Sequence, residues 1–147
     1  MLPLISRRLV WPIHERLVRR DTLRFVAELE WSQYASPVEL EELRREKLGA
    51  LLEHATRHTA FYRNRINEAG VDLKRDDPFD ALRALPLLGK DEIRDHLTDM
   101  LWHDAPGGIF PHHTGGSTGD PLTFYFDRRR QAYDQAARIR THRWFGV

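Results

Sequence analysis

Apolar residues recur at helical spacing through most of the first 108 positions and change to strand-like alternation only after them. Leu9, Ile13, Leu17, Leu23 and Val26 return roughly once per turn, which predicts helix over residues 4–30, restarted or kinked at Pro12. Ser36-Pro37-Val38-Glu39 combines an N-cap serine, a proline at the first helical position and a glutamate three residues after the cap, so a new helix starts there. Leu40, Leu43, Leu48, Leu51, Leu52 and Ala55 form its apolar stripe, with Glu41, Glu42, Arg44, Arg45 and Glu46 turned to water. Thr59 opens the next helix, anchored by Phe61, Tyr62 and Ile66 and stopped at Gly70. Asp77-Pro78 caps a short helix through Leu85, which Pro86 ends. Gly89 then precedes another, whose Asp91 and Glu92 suit the positive end of the helix dipole.

Asp104 to Gly108 reads as loop from its Asp, Pro and Gly content. Ile109 and Phe110 begin a strand that leads into Thr114-Gly115-Gly116-Ser117-Thr118-Gly119-Asp120-Pro121. Leu122, Phe124 and Phe126 then alternate with Thr123 and Tyr125, the period of a second strand. Asp127 caps a last helix with the face Tyr133, Ala137, Arg140 and Trp144, ended at Gly146. The expected organisation is a helical region over 1–108, followed over 109–147 by strand, loop, strand and helix. No internal repeat or low-complexity segment interrupts it.

With 147 residues the chain is about one domain long, and its 41% hydrophobic and 31% charged residues fit a folded chain rather than a disordered one. Lys and Arg number 23 against 22 acids, without the basic excess of a nucleic-acid binder, so no nucleic-acid partner is expected. The absence of cysteine removes disulfides, thiolate metal ligands and cysteine nucleophiles, and fits a cytoplasmic setting. No apolar run reaches the ~18 residues of a transmembrane segment. Neither does the N-terminus show the charge-then-apolar order of a secretory signal. Arg7, Arg8, Arg16, Arg19 and Arg20 make residues 4–20 basic, read here as a solvated helix face rather than a membrane-surface helix. Trp11, Trp31, Trp102 and Trp144 read as core residues.

The segment that carries chemistry is Thr114 to Pro121. Gly115, Gly116 and Gly119 permit positive φ and close backbone approach, so successive N–H groups can face one anion, and the Ser117 and Thr118 hydroxyls add donors. Polyphosphate is the natural guest. The loop is not a Walker A sequence, having no lysine and a strand rather than a helix behind it, and it lacks the Gly-x-Gly-x-x-Gly spacing of a dinucleotide fingerprint. From these residues alone, a tight strand connection with no ligand stays open. His54 and His58 stand four apart on one helix, but Ala55-Thr56-Arg57 separates them where a metalloprotease has Glu-x-x, and no metal site is expected. His112 and His113 precede the loop on opposite faces of a strand, so at most one reaches a ligand there. Arg128, Arg129 and Arg130 read as a solvated run. Of Arg138 and Arg140, one would face the active-site side of the last helix, and sequence does not choose between them.

Thr114-Gly115-Gly116-Ser117-Thr118-Gly119-x-Pro121-Leu122 closely resembles the phosphate loop of the adenylate-forming superfamily. More narrowly, it resembles the branch of phenylacetate-CoA ligases, coenzyme F390 synthetases and CapK-like proteins of polysaccharide biosynthesis. Leu122 suits that branch, where other members carry lysine. Phe61-Tyr62-Arg63 resembles its Pro-Phe-Tyr-Arg helix start, with Ala60 in place of proline, and Leu85 to Arg94 resembles its Leu-Pro-x-Leu-Thr-Lys-x-Glu-Ile-Arg segment, with Gly89 in place of threonine. Trp144 to Val147 is similar to the end of the helix leading to the next core strand. The resemblance spans about residues 37–147.

It implies an α/β fold: the N-terminal portion of an acyl-CoA synthetase-like domain, predominantly helical here with a strand-loop-strand near the C-terminus. It further implies ATP, Mg²⁺ and coenzyme A as cofactors, a nucleotide and a carboxylic acid as partners, and Thr114, Gly115, Gly116, Ser117, Thr118 and Gly119 as the phosphate-binding residues. The family's adenine- and magnesium-binding Gly-x-Thr-Glu segment, its ribose-binding aspartate and its C-terminal domain with a catalytic lysine find no counterpart here. The chain is therefore expected to be a ligase fragment that is inactive alone, with no catalytic residue of its own. The alternatives are a non-catalytic helical interaction module and a CapK-like protein.

Overall fold

The computed structural model of the chain describes residues 10, 13–14, 21–115 and 121–146. Among them are six α-helices and two strands. In chain order these are α1 (Thr22–Ser32), α2 (Pro37–His58), α3 (Ala60–Glu68), α4 (Pro78–Ala84), α5 (Lys90–Asp95), β1 (Ile109–His113), β2 (Thr123–Asp127) and α6 (Arg128–Trp144), with a 3₁₀ turn at Thr98–Met100. The expectation of a mostly helical chain with strand-loop-strand near its C-terminus holds, the strands forming one antiparallel pair. Of the helix expected over 4–30, Ile13, His14 and α1 are helical, while Leu9, Pro12, Leu17 and the basic face lie outside the described residues.

The described residues group into two compact units. The first holds those up to Ala35, Pro106–Gly108 and those from Phe126 onward; the second holds Ser36–Ala105 and Ile109–Tyr125.

In the first unit α1 packs on α6. Phe25, Val26 and Leu29 meet Ala132 and Ala136 in one buried cluster, with Tyr133, Ala137 and Ile139 at its margin. The Tyr133 ring stands edge-on to Phe25 at 5.3 Å. Near the other end Arg143 pairs with Glu30, and the Trp144 indole N–H donates to Gln33 Oε1 at 2.7 Å. The two helices therefore run in the same direction. Their seam corrects the expected face of α6. Tyr133 and Ala137 do flank it, but the fully covered pair is Ala132 and Ala136, one turn apart, and Trp144 is 58% exposed. Small side chains let the two backbones approach closely, so the seam selects alanine where a search for bulk looks for large residues. Trp31 is also 58% exposed, so the core reading of the tryptophans fails for these two; Trp102 is half-buried and Trp11 lies outside the described residues.

In the second unit α2 starts with the expected reciprocal cap. Ser36 Oγ accepts from the Glu39 N–H at 3.3 Å, and the Glu39 carboxylate accepts from the Ser36 N–H at 2.8 Å and its hydroxyl at 2.7 Å. The stripe of α2 is covered less than its periodicity promised: Leu52 is buried, whereas Leu51 is 60% exposed. The short helices α3 and α4 pack along it and shield part of the stripe.

Guanidinium groups then fasten the connections. Arg63 donates to the Thr56 and Arg57 carbonyls at 2.9 and 3.0 Å, satisfying the open C-terminal end of α2. Arg65, nearly buried, pairs with Glu92 and donates to the carbonyls of Pro86 and Leu87 at 2.7 and 3.0 Å. Arg45 pairs with Asp77, which also caps α4 through the Phe79 N–H at 2.9 Å. That helix stops at Ala84, one residue short of the expected Leu85, which is already extended ahead of Pro86.

Replacing Ala136 by leucine forces side-chain volume into a seam with no room for it. The expected cost is about 1–3 kcal/mol, seen as a lower denaturation midpoint with unchanged slope. Glu39 gives a second prediction. The Ser36 hydroxyl foremost, then the Ser36 amide, hold its carboxyl below the usual carboxylate range. A depressed folded value means that the cap stabilises the helix above the ordinary carboxylate pKa and loses that contribution as pH falls through the lowered one. In Ser36→Ala, an NMR titration should find Glu39 shifted back towards the ordinary range; an unchanged titration would contradict this origin of the shift.

Candidate functional site

The candidate site lies on the hairpin of β1 and β2. Alternation places Thr123 across from His113 and Phe124 across from His112: His113 Nδ1 is 3.1 Å from Thr123 Oγ1, and the His112 ring stacks on Phe124 at 5.9 Å. The two histidines thus occupy opposite faces, as expected, with His112 half-buried and His113 exposed.

Thr114 closes the neck of the loop. Its N–H donates to the Leu122 carbonyl at 3.0 Å, and its hydroxyl oxygen accepts from the Leu122 N–H at 2.9 Å. Both backbone groups of Leu122 are thereby held by one residue, and the hydroxyl proton of Thr114 still has a direction in which to donate. Counting Thr114 only as a ligand residue misses this structural duty. An eight-residue separation with a threonine at one end is too common a pattern to signal it. Gly115 follows at the loop's opening, exposed, and a Cβ built on it would meet nothing within 4 Å. Gly116, Ser117, Thr118 and Gly119, the remaining expected phosphate-binding residues, lie outside the described residues.

The other residues singled out by the sequence have definite surroundings. His54 and His58 lie 4.5 Å apart, and both rings pack on Trp102, at 4.6 and 4.5 Å. Among the described residues no three His, Cys, Asp or Glu side chains gather as a metal-binding group. Lys90 is exposed and opens α5. On α6, Arg138 lies 3.4 Å from Asp134, while Arg140 is half-buried over the Trp144 ring. The run at the start of that helix is less idle than a solvated face. Asp127 accepts from the Arg130 N–H at 2.6 Å, Arg128 donates to the Gly107 carbonyl at 3.0 Å, and Arg129 and Arg130 lie over Phe25 and Phe126.

The two motif-like stretches outside the loop are joined by Arg65, which reaches from α3 to Pro86, Leu87 and Glu92. In the sequence Phe61-Tyr62-Arg63 and the Leu85–Arg94 stretch stand apart, and nothing there gives Arg65 a role. An arginine one turn before a helix end is the one local signal, and it is weak by itself.

Over 100 residues the chain is 34% identical to a phenylacetate-coenzyme A ligase of Thermus thermophilus. The aligned part covers 56% of this chain and 21% of the ligase, so the chain spans about a fifth of the curated relative it matches. No family model and no solved structure matches the chain. No helix among the described residues is long and apolar enough to cross a membrane.

The Arg65 clasp is testable apart from any activity. Arg65→Met leaves Glu92 without its partner and frees the Pro86 and Leu87 carbonyls. Faster hydrogen exchange should follow at the amides of residues 88–93, with α6 unchanged.

Proposed function

We propose that residues 109–127 are the phosphate-binding hairpin of an adenylate-forming acid-CoA ligase of the phenylacetate-CoA ligase type. In this reading residues 1–108 are the helical region before the AMP-binding core, and residues 109–147 are the start of that core. The supporting observation is the neck: Thr114 clamps Leu122 by amide and hydroxyl at the end of a hairpin, on either side of the Gly/Ser/Thr segment in the sequence. The similarity to a named phenylacetate-coenzyme A ligase supports the same reading. Leu122 favours the branch that also holds CapK-like proteins over lysine-bearing members.

Thr114, Gly115, Gly116, Ser117, Thr118 and Gly119 would hold the β- and γ-phosphates of ATP. The described donors fit: an exposed Gly115 whose Cβ position meets no described atom, and the Thr114 hydroxyl beside it in the chain. Bound with Mg²⁺, ATP would supply an electrophilic α-phosphorus for the acid's carboxylate, with pyrophosphate leaving; the thiol of coenzyme A would then take the acyl group, with AMP leaving. The loop's part is to fix the departing phosphates and spread their charge, the kind of stabilisation that dominates in-line phosphoryl chemistry. No residue of this chain is assigned a catalytic role, and turnover by residues 1–147 alone is not expected. The acid is left open, and the cytoplasm is the fitting location for an ATP-dependent thioester synthesis.

A second reading, a helical interaction module, draws on the exposed Trp31, Tyr34, Trp144 and Phe145. Nucleotide separates the two. With millimolar Mg·ATP, hydrogen exchange of residues 114–122 should slow in the wild-type chain. It should not change in Gly115→Val, where a Cβ meets no described atom within 4 Å and the added bulk stands at the start of the loop segment. Equal exchange with and without ATP would defeat the ligase reading and leave the interaction module.

A further inference from the structure

The first unit contains a cavity of about 440 Å³ lined by Asp21, Phe25, Pro106, Gly107, Arg128, Arg129 and Ala132, a volume within the usual range for small-molecule sites. Its two arginines are exposed, yet each has a contact that orients it. The Arg128 side chain packs so closely on Gly107, whose φ is +83°, that a Cβ there would overlap Arg128 Cδ and Nε. The Arg128 Nε donates to the Gly107 carbonyl, which leaves the terminal nitrogens of its fork for another acceptor. The Arg129 guanidinium stands 5.6 Å from the centre of the Phe25 ring. Asp21, the one carboxylate among the described lining residues, lies 3.9 Å from Arg24, so its charge is already partly answered. Pro106, Phe25 and Ala132 make the remaining lining apolar.

We propose that this cavity binds a phosphate monoester of a small apolar molecule. Two guanidinium forks offer more donors than one carboxylate can accept, while a phosphate monoester brings three oxygens and a charge of about −1.5 to −2 at neutral pH, matching the arginine pair. The apolar lining takes the esterified group. None of the described lining residues belongs to the glycine-rich segment Thr114 to Pro121.

Isothermal titration of the full chain with phenyl phosphate tests it, with inorganic phosphate, benzoate and phenol as comparison probes. Phenyl phosphate should bind most tightly, and both Arg128→Gln and Arg129→Gln should weaken it about tenfold or more, with circular dichroism unchanged because both side chains are exposed. Gly115→Val should leave that affinity as it is, which keeps this test apart from the phosphate-loop reading. If either glutamine variant misfolds, the matching lysine variant, which keeps the charge and loses the fork, should still bind more weakly than wild type. Equal binding of benzoate, equal binding of inorganic phosphate, or wild-type affinity in both arginine variants would each overturn the proposal.

Discussion

Arg65 is the contact on which the second unit most depends. That unit buries few apolar residues: Leu52, Ile66, Ala81 and Ala105, together with Thr59. A core so small supplies limited apolar stabilisation, so the path of its connections is set by polar contacts. One guanidinium performs that task by binding two carbonyls and a carboxylate at once, which turns the exposed Pro86–Leu87 stretch into a fixed connection between α4 and α5. Arg63 does the same for the end of α2, and Arg45 for the start of α4. Charge-assisted bonds of this kind are short, directional and stronger than neutral ones, and here they act where the backbone would otherwise have open ends.

The first unit solves its packing differently. Its two helices meet through alanines on one side and Phe25, Val26 and Leu29 on the other, so close contact replaces bulk. The exposed tryptophans lie towards the ends of the helices, where Trp144 is tied to Gln33 and Arg140 lies over its ring. The same arrangement sets the N-terminal turn of α6 beside Gly107, where the exposed Arg128 meets a carbonyl and the exposed Arg129 an aromatic face.

Both units serve short segments whose geometry is local. The hairpin is the clearest instance: its neck is built by one threonine and one leucine backbone, and neither bond requires any distant residue. Those two bonds join the described ends of the glycine-rich segment, Thr114 and Leu122, without help from any other element.

Much of this was legible in the sequence. Ser36, Glu39, Asp77 and Asp127 announce helix starts because capping bonds span only two or three residues, and the alternation of residues 122–126 announces a strand because its period is intrinsic to the backbone. The glycine-rich loop stood out in the sequence as the candidate place for chemistry, since residue type alone decides which backbones can approach an anion; Gly116 to Gly119 lie outside the described residues. What tertiary structure alone decided is which side chains are covered and which polar groups meet across long separations. Periodicity identifies a helix face but not how much protein stands opposite it, so Leu51 and Trp144 proved exposed while Ala132 and Ala136 were buried. Arg65 and Leu87 are 22 residues apart and Arg128 and Gly107 are 21 apart, and nothing local in either segment encodes the meeting. Such contacts follow only once the chain has closed, because their geometry belongs to the fold and not to the segment.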